Sequence, residues 1–388
     1  MLSFASALLS YIHRLGFAFR LKRAVRGWSS ARAMPRPATD RVCVTGFFSE
    51  PLGIGRAGHL TADALEAAGY AVSRENLRPL HRKLLTRTPE AFAAPAPVWI
   101  IHANPPEARI ALFARDPAQW ASMYRIGYWV WESDLAPADW VEAARWFHEI
   151  WVPSAFARDA FVKAFARAGV DEAHKLKVMP HPVPLKHIAE RPEGPVTALT
   201  LFDPRSDWER KNPEGTIRAW VEAFPDPTDA RLIVKTYAGA EHHLNFKRLQ
   251  DLARGRADII FRCETLDDTD TQALIAEADL LISLHRGEGF GLPLAEAMAA
   301  GVPVIATGWS GNMQFMDTET ARLISCHLTP ANARYNGPDA QWAEPDISEA
   351  ARTVKQLCES TEERRALGLK GRNAIATLHT DWSKTNLF

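Results

Sequence analysis

Short apolar runs recur along the chain, separated by longer stretches with helical spacing of apolar residues, and this alternation predicts its elements. Runs at 42–47, 98–102, 126–131, 150–152 and 176–179 have the length and content of buried strands, and helical patterns fall between most of them, for instance at 59–68 and 137–147. A second series of strand-like runs occupies 198–202, 232–236, 259–262, 280–284, 302–306 and 322–324. Strands alternating with helices predict a doubly wound parallel sheet, and two such series predict an α/β protein of two Rossmann-like halves. In that architecture ligands bind at the carboxyl ends of the strands, within the cleft between the halves. The Pro180-His-Pro-Val-Pro184 segment, followed by Pro195, reads as a hinge. The expected division is therefore an N-terminal segment 1–40, a first domain 41–185 and a second domain 196–388. No internal repeat or low-complexity tract interrupts it.

Length supports two domains, because 388 residues exceed the single-core limit of about 250–300. Lys plus Arg and Asp plus Glu both number 46, which argues against a general nucleic-acid binder and leaves charge to be read locally. Cys43, Cys263, Cys326 and Cys358 are scattered without a C-x-x-C pair, as expected of a reducing cytoplasm rather than a disulfide scaffold or zinc site. No apolar run reaches the ~18–20 residues that span a bilayer. Residues 1–26 place Leu2, Phe4, Leu8, Leu9, Ile12, Leu15, Phe19 and Leu21 at near-helical spacing, with Arg20, Lys22, Arg23 and Arg26 at the end. Charge that follows the apolar stretch is the reverse of a secretory signal. Two readings stand: an interfacial helix on an anionic inner-membrane surface, or a leader that packs on the protein or stays disordered.

Glu288-Gly-Phe-Gly-Leu-Pro-Leu-Ala-Glu296 carries the most chemistry, since it sets two carboxylates around a glycine loop between a strand and a helix. Pro293 suits a first helical position and Gly301 a helix end. The N–H groups of Phe290, Gly291 and Leu292 would then lie at a helix N-terminus, where free donors and the dipole favour an anion such as a diphosphate. Gly289 completes the loop. Glu288 can reach hydroxyls beside that anion, and Glu296, in the first turn, a ribose diol. Read without a ligand, Glu288 is a solvated charge and Glu296 complements the helix dipole, which leaves the glycines unexplained.

The sequence resembles the retaining glycosyltransferases of the GT-B fold, group 1, family 4. The resemblance rests on Glu288 and Glu296 with the continuation Ala297-Met-Ala-Ala-Gly-Val-Pro-Val-Ile-Ala-Thr-Gly-Trp-Ser-Gly-Asn312. It extends to Phe202-Asp203 and Glu209-Arg-Lys-Asn-Pro213, and, for a bacterial subgroup, to Gly127-Tyr-Trp-Val-Trp-Glu132 and Glu149-Ile-Trp-Val-Pro-Ser154. It covers about 42–382. The resemblance implies a basic clamp on the donor diphosphate at Lys211, with Arg210 adjacent and Arg205 as a further partner. It also implies backbone contacts to the nucleotide base from Cys263 to Leu266, and contact of the 53–58 loop with the diphosphate when the cleft closes. A terminal helix crossing back to the first half is implied as well, kept short by an end soon after Trp382.

Gly53, Gly55 and Gly58 also form a formal G-x-G-x-x-G, and Glu75, about twenty residues after Gly55, could serve as the ribose acid of a dinucleotide site. The intervening Phe48-Ser-Glu-Pro-Leu52 weakens that reading, because the first glycine should follow the strand directly. His102 and Glu132 each end a predicted strand and are expected to face the cleft as catalytic candidates. Many relatives carry a His at the end of the latter strand. Here Glu132 would either take the acceptor proton or position the acceptor while the donor phosphate takes it. Trp131 is a candidate stacking platform for a sugar. Asp268-Thr-Asp270 matches a manganese-binding pattern of the other glycosyltransferase fold, but its place before a predicted helix at 271–278 is explained by N-capping, so no metal and no cofactor are expected.

The expected activity is transfer of a hexose from a nucleotide sugar to a glycan or lipid-linked acceptor in cell-surface polysaccharide synthesis. Mannose from GDP-mannose is the first expectation and glucose from a UDP donor the second. The alternatives are an NAD-dependent oxidoreductase using Gly53–Gly58, a sugar-nucleotide epimerase, and a non-catalytic sugar-nucleotide-binding subunit.

Overall fold

The computed structural model describes residues 31, 34–50, 52–80, 96–115, 120–188, 194–204, 206–335 and 337–384. The amphipathic segment 1–26 and Arg205 lie outside the described residues. Each expected strand forms, and one more joins them. The first sheet holds β1 (Arg41–Gly46), β2 (Ala71–Asn76), β3 (Val98–Ile101), β4 (Tyr124–Tyr128), β5 (Glu149–Val152) and β6 (Leu176–Val178), all parallel, in the order β2-β1-β3-β4-β5-β6. The second holds β7 (Thr197–Leu201), β8 (Arg231–Thr236), β9 (Ile259–Cys263), β10 (Leu280–Ser283), β11 (Val304–Thr307) and β12 (Arg322–Ile324), parallel, in the order β12-β11-β10-β7-β8-β9. Read from its other edge, the second sheet has the dinucleotide-fold order, whereas the first begins like the flavodoxin order. Helices cover both faces, so β1, β3, β4 and β5 are buried almost throughout and read in sequence as continuous apolar runs.

Each sheet has a point where the strand order reverses: between β1 and β3 in the first, and between β7 and β10 in the second. At such a point neighbouring strands send their following segments to opposite faces, which opens a crevice at the carboxyl ends. The two crevices face each other.

Several expectations change. Glu75 lies inside β2 opposite Thr45, accepts from the Thr45 hydroxyl at 2.7 Å and pairs with the buried Arg115. It is a core ion pair and no ribose ligand. Gly53, Gly55 and Gly58 belong to the Gly53–Ala67 helix rather than to a loop. The 137–147 helix is a 3₁₀ helix, Ala138–Trp146. An antiparallel hairpin, β13 (Cys326–Pro330) with β14 (Gln341–Pro345), was not foreseen. The last helix, Thr361–Lys384, is long: it packs on the Leu292–Ala299 helix, touches the Gly53–Ala67 helix of the first half, and donates from Arg372 to the Lys186 carbonyl at 3.2 Å. No helix among the described residues is long and apolar enough to cross a membrane.

Candidate active site

The segments leaving β7 and β10 are tied together before any charged group is placed. Asn212, at φ 48°, caps the Pro213–Ala223 helix by accepting from the Gly215 N–H at 3.1 Å, and its amide donates to the Leu284 carbonyl at 2.8 Å. The Arg286 N–H donates to the Arg210 carbonyl at 2.7 Å. Arg210 and Lys211, in the short Trp208–Lys211 helix, therefore face the glycine loop. Lys211 Nζ lies 2.6 Å from one Glu288 carboxylate oxygen and Arg210 3.2 Å from the other. The buried Arg210 guanidinium also donates to the Gly287 carbonyl at 2.6 Å and the Tyr335 hydroxyl at 3.0 Å, and reaches within 3.9 Å of Glu132.

Burial alone would lift the Glu288 pKa, but Lys211 and Arg210 overcome it and hold the carboxyl at about 2. The same carboxylate raises Arg210, against its own desolvation. Glu132 is different: burial raises it, and the more distant Arg210 only partly opposes. One acid is fixed as an anion and the other retains its proton to higher pH.

Gly291, at φ 90°, turns the chain into the Leu292–Ala299 helix in a conformation that L side chains rarely adopt. Phe290, Gly291, Leu292 and Pro293 line a cavity of about 430 Å³, with the first-turn donors and dipole available to an anion. Gly289 fits where a Cβ would lie 2.3 Å from a Val130 methyl, so only glycine lets the loop touch the first half, where the Ser154 hydroxyl donates to its carbonyl at 2.7 Å. Glu296 also lines the cavity, but from the helix's second turn. It accepts from Arg56 Nε at 3.1 Å across the cleft, and burial raises its pKa against that partner.

The cavity brings together Glu132, Arg210, Lys211, Glu288, Glu296, Leu266 and Gly53. Two predicted residues are not there. His102 is wholly buried and stacked on Tyr128 at 4.2 Å, its backbone N–H still paired with the Thr45 carbonyl of β1 at 2.8 Å, and burial pulls its pKa down to about 3. Gly55 instead serves packing, since a Cβ there would lie 2.6 Å from the Phe47 carbonyl oxygen. Trp131 is also core: its indole N–H bonds to Ser133 and Leu135, and its ring packs on Trp140 and Tyr335. Asp268 and Asp270 lie in the first turn of the Asp268–Glu277 helix, and the cap is Asp267, which accepts from the Asp270 N–H at 2.8 Å. No cluster of three His, Cys, Asp or Glu fit to hold a metal occurs among the described residues.

Sequence reasoning missed several lining residues, Arg56, Lys235 and His181 among them. Arg56 sits on the first helix, and only the fold brings it to Glu296. Lys235 is the last residue but one of β8, a position that the strand-end rule could have flagged; its ammonium donates to the Thr236 and Glu264 carbonyls, both at 2.7 Å. His181 sits in the proline hinge, where it read only as a linker residue.

A family model described as a family 4 glycosyltransferase in conflict systems matches residues 157–386. The match exceeds half of the chain, and the chain belongs to this glycosyltransferase family. Over 120 residues it is 33% identical to the MMP alpha-(1->4)-mannosyltransferase of Mycolicibacterium hassiacum, covering 30% of this chain and 25% of that protein. Over 80 residues it is 32% identical to a putative glycosyltransferase of a Sulfolobus islandicus filamentous virus, covering 21% and 26%. These stretches span only about a quarter of either relative. Among solved structures it resembles Anabaena HepE in complex with UDP-glucose, with TM-score 0.62 and 14% identity over 89% of this chain and 98% of that one. A glycosyltransferase from Rickettsia africae gives TM-score 0.59 and 14% identity over 90% and 97%. At that identity the likeness establishes the fold, GT-B.

Proposed function

We propose that this chain transfers a hexose, with retention, from a nucleoside diphosphate sugar to a glycan or lipid-linked acceptor. The carrying observation is the Lys211–Glu288–Arg210 cluster beside the Phe290–Leu292 amides, inside a cavity that Arg56 and Glu296 span. Breaking the sugar–phosphate bond develops negative charge on the leaving diphosphate, and the amides and Lys211 are the fixed positive groups beside it. Glu296 suits the ribose diol and Glu288 the sugar hydroxyls. In a front-face transfer the acceptor oxygen bonds to the anomeric carbon as the phosphate oxygen leaves on the same side and takes the acceptor's proton. Glu132, across from Arg210, would position the incoming hydroxyl.

Mannose from GDP-mannose is the favoured donor, supported by the name of the mycobacterial relative, with UDP-glucose second, supported by the ligand of the HepE complex. Hydrolysis of a panel of nucleotide sugars, repeated in EDTA, tests this reading. One donor is expected to be turned over with or without chelator; binding without turnover would favour a sugar-nucleotide-binding subunit. Against the oxidoreductase stands the commitment of Glu75 to Arg115.

A lipid-linked acceptor in surface polysaccharide synthesis would put the reaction at the inner face of the membrane, and the basic amphipathic 1–26 suits that surface. The full chain is expected to float with anionic liposomes, whereas a chain starting near Thr39 stays behind. Equal flotation would remove the anchor.

A further inference from the structure

We propose that His181 is a hydroxyl-binding residue of the cavity, held by Tyr128 as its Nδ1–H tautomer so that the Nε2 lone pair faces the ligand. The inference rests on the nucleotide-sugar reading above and assigns a residue within that site.

The tautomer follows from counting protons. The Tyr128 hydroxyl is hydrogen-bonded to the Met179 carbonyl, which can only accept, so the phenol's single proton is directed there. His181 Nδ1 lies 2.9 Å from the same phenolic oxygen. That oxygen has only lone pairs left to offer, and Nδ1 must therefore supply the proton. The ring carries just one, because burial, and next the neighbouring His102, hold its pKa well below the ordinary value of 6.5. Nε2 is left as a bare acceptor.

Position gives that acceptor its use. His181 is 3% exposed yet lines the cavity, with its ring edge-on to Phe290 at a centroid distance of 4.9 Å, beside the amides of the anion seat. Tyr128 stacks on it at 5.1 Å and 15°, and His102 stacks on Tyr128 at 4.2 Å while lying tilted 5.9 Å from His181, its own two ring nitrogens having no hydrogen-bond partner among the described residues. The stack fixes the ring plane. Phosphate oxygens and Nε2 both only accept, so a phosphate is disfavoured at this point. A hydroxyl can donate, whether it belongs to the donor hexose or to the incoming acceptor.

Histidine-ring ¹⁵N NMR of the full chain, assigned by loss of a signal in His181→Phe, tests the tautomer. A protonated Nδ1 with a bare Nε2 is expected, and a protonated Nε2 would overturn the proposal. Calorimetry with UDP, UDP-glucose, GDP and GDP-mannose, alongside donor hydrolysis, separates the two hydroxyls. If the donor sugar is bound, His181→Phe weakens the sugar nucleotide about tenfold and spares the nucleoside diphosphate, as expected for loss of one buried hydrogen bond. If the incoming hydroxyl is bound, both affinities hold and hydrolysis, with water as its surrogate, falls about tenfold. His181→Gln, which keeps an acceptor, recovers part of the loss, and Tyr128→Phe lowers it less than His181→Phe while mixing the tautomers in the NMR spectrum. A folded His181→Phe equal to wild type in binding and hydrolysis overturns the inference alone. A wild-type protein that binds none of the four nucleotides overturns the nucleotide-sugar reading and this assignment with it.

Discussion

Lys211→Ala is expected to lower kcat by about 10²–10³, the usual loss when one preorganised donor to a transition-state anion is removed. Lys211 lies near the end of the segment that Asn212 ties to Leu284, so its ammonium is delivered to the glycine loop by backbone and cap rather than by a mobile side chain alone. Its present partner, Glu288, is a stand-in for no ligand: it is a carboxylate 2.6 Å away that keeps the cation in place. When charge builds on the leaving diphosphate, the ammonium has three donors to share between that anion and Glu288. Donor affinity should fall less than kcat, because the extra charge exists only in the transition state. Steady-state hydrolysis and transfer rates check the split. A variant within about threefold of wild type would remove Lys211 from the leaving-group role, since that is under 1 kcal/mol of transition-state stabilisation. Loss of this cation should also let the Glu288 pKa climb from about 2 toward its ordinary 4.5.

Much of this was legible in the sequence because parallel strands covered on both faces leave continuous apolar runs, and a glycine loop opening a helix has few other uses. Glu288, Glu296 and Lys211 line one cavity, the first two singled out by their spacing around the glycine loop and the third by the resemblance. Features decided by distant partners were not legible. Glu75 looked like a ribose acid at the right interval, yet β2 places it against Arg115, forty residues on, and a buried pair took the carboxylate. His102 was aimed at the cleft by its place after a strand, but aromatic stacking with Tyr128 drew it into the core. Arg56 and Glu296 are 240 residues apart and are joined only by the way the two halves sit together. Asp267 competed with two neighbouring aspartates for one helix cap, a choice set by backbone angles rather than composition.

Closure itself has a chemical pattern. Contacts across the cleft are both polar and apolar: Arg56 to Glu296, Ser154 to the Gly289 carbonyl, Asp134 accepting from the Gln341 N–H at 2.7 Å, and Phe156 edge-on to Trp309 at 4.8 Å, while Tyr335 and Trp342 join the buried apolar cluster of the first half. Gly289 makes the approach possible, and Glu296 is both a cross-cleft partner and a ribose candidate. On the function proposed above, a nucleotide bound at Glu296 would compete with Arg56 for that carboxylate, so ligand binding and contact between the halves would draw on the same residue.

Arg210→Ala should be the most damaging substitution for stability, by about 3–5 kcal/mol, because it removes one partner from a buried charge pair. Arg210 is 3% exposed and bonds at once to Gly287, Tyr335 and Glu288, with Glu132 beyond. Alanine leaves the Glu288 carboxylate with Lys211 alone and strands the Gly287 carbonyl. The cost has a pH signature. In wild type the Glu288 pKa is depressed from 4.5 to about 2, so its ion pairs contribute fully above 4.5 and are lost as pH falls toward 2. Without Arg210 the folded-state pKa rises, the depression shrinks, and less stability remains to be lost on acidification. Urea unfolding at neutral pH should therefore show a large gap between the two proteins, narrowing as pH drops below 4.5. A gap that stayed constant down to acid pH would mean that Arg210 holds the loop through Gly287 and Tyr335 and that its charge is incidental to Glu288.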